Sequence, residues 1–138
     1  MLQKILMVED EGDIQQIARF ALEMVGGFTV EMCSSGDEAL QTAPAFAPDL
    51  ILLDVMMPSM DGPTTLSKLR EIPSLTNTTV VFITAKVQPD EIGQYRALGA
   101  ADVISKPFDP MTLSDKVRAV HAQATAGATP APAAQTST

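Results

Sequence analysis

The chain has no tryptophan, one tyrosine, one histidine and one cysteine among its 138 residues. A lone cysteine, Cys33, excludes an intrachain disulfide and any Cys-x-x-Cys cluster. Cys33 sits in an apolar run and reads as a small core hydrophobe. His121, beside the C-terminal segment, reads as a solvated helix end rather than a metal ligand or phosphodonor. Basic residues are scarce: Lys and Arg number 9 against 17 Asp and Glu, a net charge of −8. So acidic a chain repels phosphate backbones, which argues against direct nucleic-acid binding and for a cation site or a basic protein partner. No run approaches the ~18 apolar residues of a membrane span, so no membrane insertion is expected. The opening MLQKILMV leads at once into Glu9, Asp10 and Glu11, unlike a secretory leader. A cytoplasmic location is the expectation.

The composition is otherwise that of a globular domain, 46% hydrophobic and 19% charged. Short apolar runs at 4–9, 28–33, 49–54, 79–84 and 101–105 suit buried parallel strands. Helical spacing fills the intervals. Ile14, Ile17, Ala18, Ala21 and Val25 share one helical face, which Gly26 and Gly27 stop. Ser35 with Glu38 forms a capping-box pattern. Pro63 suits a first helical position, with Leu66 and Leu69 behind it. Pro89, Asp90 and Glu91 open a helix with Ile92, Tyr95 and Leu98 as its apolar positions and Gly99 as its stop. Asp109 and Pro110 cap a last helix bearing Leu113, Val117 and Val120. Five strand–helix units of this kind predict an α/β fold, a parallel sheet covered by helices on both faces. Residues 122–138, all Ala, Thr, Pro, Gln, Gly and Ser, carry too little apolar surface to offset chain entropy, and predict a disordered tail after a domain spanning 1–121.

In open α/β sheets ligands gather at the carboxyl ends of the strands. Glu9 and Asp10 end the first strand, Asp54 the third, Thr84 and Ala85 the fourth, Ser105, Lys106 and Pro107 the fifth. Any one of these alone is an ordinary turn former or surface residue; at the ends of four strands they make a site. Three carboxylates with one lysine leave a charge of −2. Two like charges ~4 Å apart repel by about 4 kcal/mol at an effective dielectric near 20. Such a cluster calls for a cation or a proton. Few, hard oxygen ligands suit Mg2+ with retained waters, and the EF-hand pattern that would favour calcium is absent. A carboxylate beside such a metal can serve as a nucleophile toward phosphorus, with a lysine charge and a threonine hydroxyl as its helpers.

These residues lie in the motifs ILMVEDE, LILLDVMMPSMDG, VFITAK and GAADVISKPFDP. Together the motifs resemble the receiver domains of two-component response regulators, over residues 3–121. The resemblance implies a flavodoxin-like doubly wound (βα)5 fold with strand order 2-1-3-4-5. It implies Asp54 as the phosphorylated residue and Mg2+ held by Asp10, Asp54, the Met56 carbonyl and, mainly through water, Glu9. Thr84 and Lys106 would contact the phosphoryl group. Lys106-Pro107 would be the family's cis peptide, and Thr84, Ala85, Val103 and Pro107 would belong to the switching region. The implied activity is that of a stand-alone regulator, not an enzyme with turnover. It takes phosphoryl from a sensor histidine kinase or a histidine phosphotransfer protein and signals to a downstream effector. The alternatives are a phosphorelay intermediate, a phosphate sink or an unphosphorylated docking module.

Two departures stand out. Val103 occupies a position usually aromatic in switching receivers, and Tyr95 reads only as a half-buried helix residue. Met56 and Lys86 stand at the positions that tune phosphoryl lifetime; an apolar Met56 cannot orient an attacking water, so slow self-dephosphorylation is expected. Rival classes fit less well. A flavin phosphate would be repelled by Glu9-Asp10-Glu11, and an aspartyl phosphatase would want a carboxylate where Met56 stands.

Overall fold

A computed structural model describes residues 2–85 and 88–128. Lys86 and residues 129–138 lie outside the described residues. Five parallel strands form one sheet: β1 (Lys4–Val8), β2 (Thr29–Cys33), β3 (Leu50–Asp54), β4 (Thr79–Thr84) and β5 (Asp102–Ser105). Their spatial order is β2-β1-β3-β4-β5, the flavodoxin-like doubly wound order implied by the motifs. The helices are α1 (Gly12–Arg19), α2 (Gly36–Phe46), α3 (Gly62–Arg70), α4 (Pro89–Ala97) and α5 (Leu113–Ala128).

Period-2 alternation sorts the strand residues into two cores. Leu6, Val8, Ile51, Leu53, Val80 and Phe82 face α2 and α3, meeting Ala39, Ala43, Leu66 and Leu69. Ile5, Met7, Leu50, Leu52, Val81, Ile83 and Ile104 face α1 and α5, meeting Ala18, Leu22, Leu113 and Val117. Both faces being covered explains why the strands read as continuous apolar runs.

The helix starts follow from side-chain capping. Ser35 Oγ accepts from Glu38 N at 3.1 Å. Glu38 reaches back to Ser34 N at 2.7 Å, one residue earlier than a capping box would have it. Asp61 Oδ1 accepts from Thr64 N at 2.9 Å, and Pro63 lies in the first turn of α3.

Three expectations are corrected. The first helix is not one regular α-helix through Val25: α1 passes into a π-helical segment, Phe20–Val25. The buried Ser114 hydroxyl of α5 donates to Ala21 O at 2.8 Å, and the same carbonyl accepts Gly26 N at 3.1 Å. A side chain inserted at a backbone carbonyl is a recognised cause of such a break. Gly26 is required there, because a Cβ would fall 2.1 Å from Ser114 Oγ. Ile17 and Val25, expected on the buried face, are exposed, along with Phe20 and Met24. In α4 no residue is buried, and Leu98 just beyond it is exposed. Finally, α5 runs through Ala128, past the boundary expected at 121. Alanine has the highest helix propensity, so this stretch continues a helix without a large apolar residue. Thr125 Oγ1 donates to His121 O at 2.8 Å.

Candidate functional site

Parallel pairing brings the carboxyl ends of β1, β3, β4 and β5 to one edge of the sheet. Glu9 follows β1 directly, and its N–H donates to Cys33 O at 2.9 Å, extending the ladder toward β2. Asp54 closes β3, paired with Ile83 of β4. Thr84 closes β4 and pairs with Ser105, and Lys106 N donates to Thr84 O at 2.9 Å. The loop after β3 folds back tightly: Gly62 N donates to Val55 O at 2.9 Å. A Cβ on Gly62 would fall 2.6 Å from Asp54 O, so only glycine lets α3 start this close to the site.

Glu9, Asp10 and Asp54 each present a carboxylate oxygen within 4.8 Å of the others. Glu9 and Asp54 are buried and Asp10 is exposed. Lys106 Nζ lies 2.9 Å from Glu9 Oε1 and 3.1 Å from Asp54 Oδ1. Glu9 Oε2 accepts from Glu11 N at 3.1 Å. Glu9 Oε1 is buried, and Lys106 Nζ is its charged partner. Gln15 Nε2 donates to Glu9 O and to Ser34 Oγ, bracing the turn after β1.

The electrostatics follow from burial. Loss of solvation pushes the Glu9 carboxyl up to about 7, against the lowering effect of Lys106 and the Glu11 N–H, with Asp54 adding to the rise. Burial works to lower the Lys106 ammonium, but its contacts with Glu9 and Asp54 outweigh that and hold it above the usual lysine range. Lys106 therefore stays charged, and proton uptake in the cluster falls to Glu9. With all three carboxylates ionised the group carries −2. Three converging carboxylates, hard oxygen donors and uncompensated negative charge are what a small divalent cation requires. The residues fit such an ion.

The remaining site residues predicted from sequence lie around this group. Met56 N is 3.3 Å from Asp54 Oδ1, while its side chain is exposed. Thr84 is buried. Lys106-Pro107 is a cis peptide. Ala85, Lys106, Pro107 and Phe108 border, with Ile14 and Ile17, a largely apolar cavity of about 260 Å3. Val103 is half-buried and pairs with Phe82 across the β4–β5 ladder.

Sequence reasoning passed over two contacts. Gln15 carried no motif signal. Tyr95 is half-buried as expected, but its ring meets Phe82 edge-on, with centroids 5.0 Å apart and planes at 63°. Its phenol is raised by burial first, then by the charges of Glu91 and Asp61.

A 2-1-3-4-5 parallel sheet with an acidic cluster and a lysine at its carboxyl edge defines a receiver-type signalling domain. Residues 5–118 match the family described as response regulator receiver domain, and the chain belongs to that family. It is 37% identical over 120 residues to the alkaline phosphatase synthesis transcriptional regulatory protein PhoP of Bacillus subtilis, covering 87% of this chain and 49% of that protein. It is 35% identical over 120 residues to the phosphate regulon transcriptional regulatory protein PhoB of Rhizobium meliloti, covering 87% of this chain and 52% of that protein. The chain thus spans about half the length of these curated relatives. Among solved structures, the chemotaxis protein CheY4 of Vibrio cholerae matches with a TM-score of 0.81 and 31% identity, over 87% of this chain and 99% of that one.

Proposed function

We propose that Asp54 accepts a phosphoryl group from a phosphohistidine of a sensor histidine kinase or a histidine phosphotransfer protein. The observation that carries this reading is the placement of Lys106 Nζ between Glu9 and Asp54 within a cluster of three carboxylates. Glu9, Asp10, Asp54 and the Met56 carbonyl would hold Mg2+, which when bound neutralises charge on the transferring group. An Asp54 oxygen attacks phosphorus, the N–P bond of the donor breaks, and its electron pair returns to the imidazole. The product is an acyl phosphate on Asp54. Lys106, already charged, pairs with a phosphoryl oxygen, and the Thr84 hydroxyl donates to another. The apolar cavity beside Lys106 and the exposed Ile17 give the donor protein a surface to rest on while its histidine reaches the site.

Phosphorylation adds charge at the sheet edge and shifts the population toward a state that a downstream effector binds with different affinity. The net charge of −8 argues that this chain reaches that effector through protein contact rather than nucleic acid. No helix among the described residues is long and apolar enough to cross a membrane, which accords with action in the cytoplasm. The protein is a phosphoacceptor that assists its own transfer, not an enzyme with turnover.

The test is labelling by a small acyl phosphate with Mg2+. The parent should label and Asp54→Asn should not; equal labelling of both would overturn the assignment. The label should also be long-lived. Met56 projects an apolar side chain into solvent beside Asp54 and offers nothing to orient an attacking water. Loss of label within seconds would contradict that role for Met56.

A further inference from the structure

α4 is the one helix of the described residues with no buried side chain. Gly93 lies within it, and its N-cap, Gln88, makes no side-chain capping bond. Two contacts link it to the sheet among the described residues. One is the exposed ion pair Arg96–Asp102 at 3.1 Å. The other is Tyr95 against Phe82. Tyr95 and Val103 pack on the same apolar cluster as Phe82, and Phe82 and Val103 are register partners. Thr84 stands two residues beyond Phe82, on the same face of β4 by strand alternation. Valine at 103 is small, and the aromatic ring that packs on Phe82 comes from the helix rather than from β5.

Resting on the phosphoacceptor reading above, we propose that Tyr95 is the positioning residue that conveys the state of the Thr84 end of β4 to α4. A shift of Thr84 toward a phosphoryl group on Asp54 moves the β4 backbone that carries Phe82. Tyr95 rests edge-on against the Phe82 ring. With little else buried, α4 changes its docking when that surface changes, and elements with few buried contacts open most readily. The ring therefore does from α4 what a strand-borne aromatic would do from β5.

The chain carries its own probe. Tyr95 is the only tyrosine and there is no tryptophan, so near-ultraviolet emission of the full chain reports this ring. The experiment treats the protein with Mg2+ and a small acyl phosphate. It follows the Asp54 label, acrylamide quenching of the emission and amide exchange in α4 together. On labelling, quenching should change and α4 exchange should shift by roughly tenfold. Tyr95→Phe should keep the α4 response. Tyr95→Leu should label to the same extent with the response lost, a separation that a merely structural role would not produce. A labelled parent whose emission is unchanged, or a Tyr95→Leu protein whose α4 still responds, would overturn the proposal and leave the phosphoacceptor reading intact. A parent that takes no label would remove both. If Tyr95→Leu does not fold, the parent's emission decides.

Discussion

α4 and α5 cover opposite faces of the β4–β5 side of the sheet, yet they are attached in different ways. α5 sends Leu113 and Val117 fully into the core. Its Ser114 bonds the carbonyl of Ala21, and Arg118 lies over the Phe28 ring at 4.6 Å while donating to Gly26 O. α4 rests on one half-buried ring and one exposed ion pair. Burial of an aliphatic side chain contributes ~1.5–3 kcal/mol. An aromatic pair adds about 0.5–1.5 kcal/mol, and an exposed ion pair at most about 1 kcal/mol. The two helices therefore differ in what it takes to move them. The lesson is that one sheet can fix one helix through its core and hold another by its margin alone.

The largest expected effect is on the α5 side. Leu113→Ala should destabilise the fold by about 2–5 kcal/mol, as a core truncation that leaves a cavity. Ile92→Ala in α4 should cost less than about 1 kcal/mol. Urea midpoints of the two variants measure the contrast, and equal losses would break it.

The site end provides the next test. The Glu9 carboxyl is raised from 4.5 to about 7 in the folded protein. Between those values the folded state binds more protons than the unfolded one, so global stability should fall as pH rises from about 4.5 to 7. Glu9→Gln should flatten that slope, and Mg2+ should reduce it by favouring the ionised carboxylate. Denaturation midpoints across this range, with and without Mg2+, check the sign. Local opening of α4, followed by amide exchange corrected for intrinsic rates, should not follow the same slope. Were it to do so, the helix would belong to the same cooperative unit as the site.

The smallest effect is expected at Arg96. Arg96→Ala removes an exposed ion pair and should change global stability by no more than about 1 kcal/mol. It should still speed exchange in α4, since the pair ties the helix to β5. A variant with unchanged α4 exchange would put the weight on the Tyr95 ring and sharpen the comparison further.

The failures of sequence reading have physical causes. Apolar runs marked all five strands, because a sheet buried on both faces demands them. The break in α1 was invisible, because its cause, Ser114, lies 93 residues from the carbonyl it takes. The exposure of α4 was also missed: Ile92, Tyr95 and Leu98 have helical spacing, but spacing does not say how closely a helix approaches the sheet. At the site, residue types and strand-end positions pointed to Glu9, Asp10, Asp54 and Lys106, while the burial of Glu9 and the Tyr95–Phe82 contact needed coordinates.

By itself the amino-acid order determined the kinds of element, the two-sided core and the chemistry that could collect at the strand ends. Those follow from local periodicity and from the charge of individual side chains. Only the tertiary structure decided that Lys106 reaches two carboxylates at once, that Ser114 meets the carbonyl of Ala21 where the first helix turns π-helical, and that an α4 ring packs on Phe82. Each of these joins residues far apart in the chain, and their distances are set by how the layers pack, a property no local stretch of sequence carries.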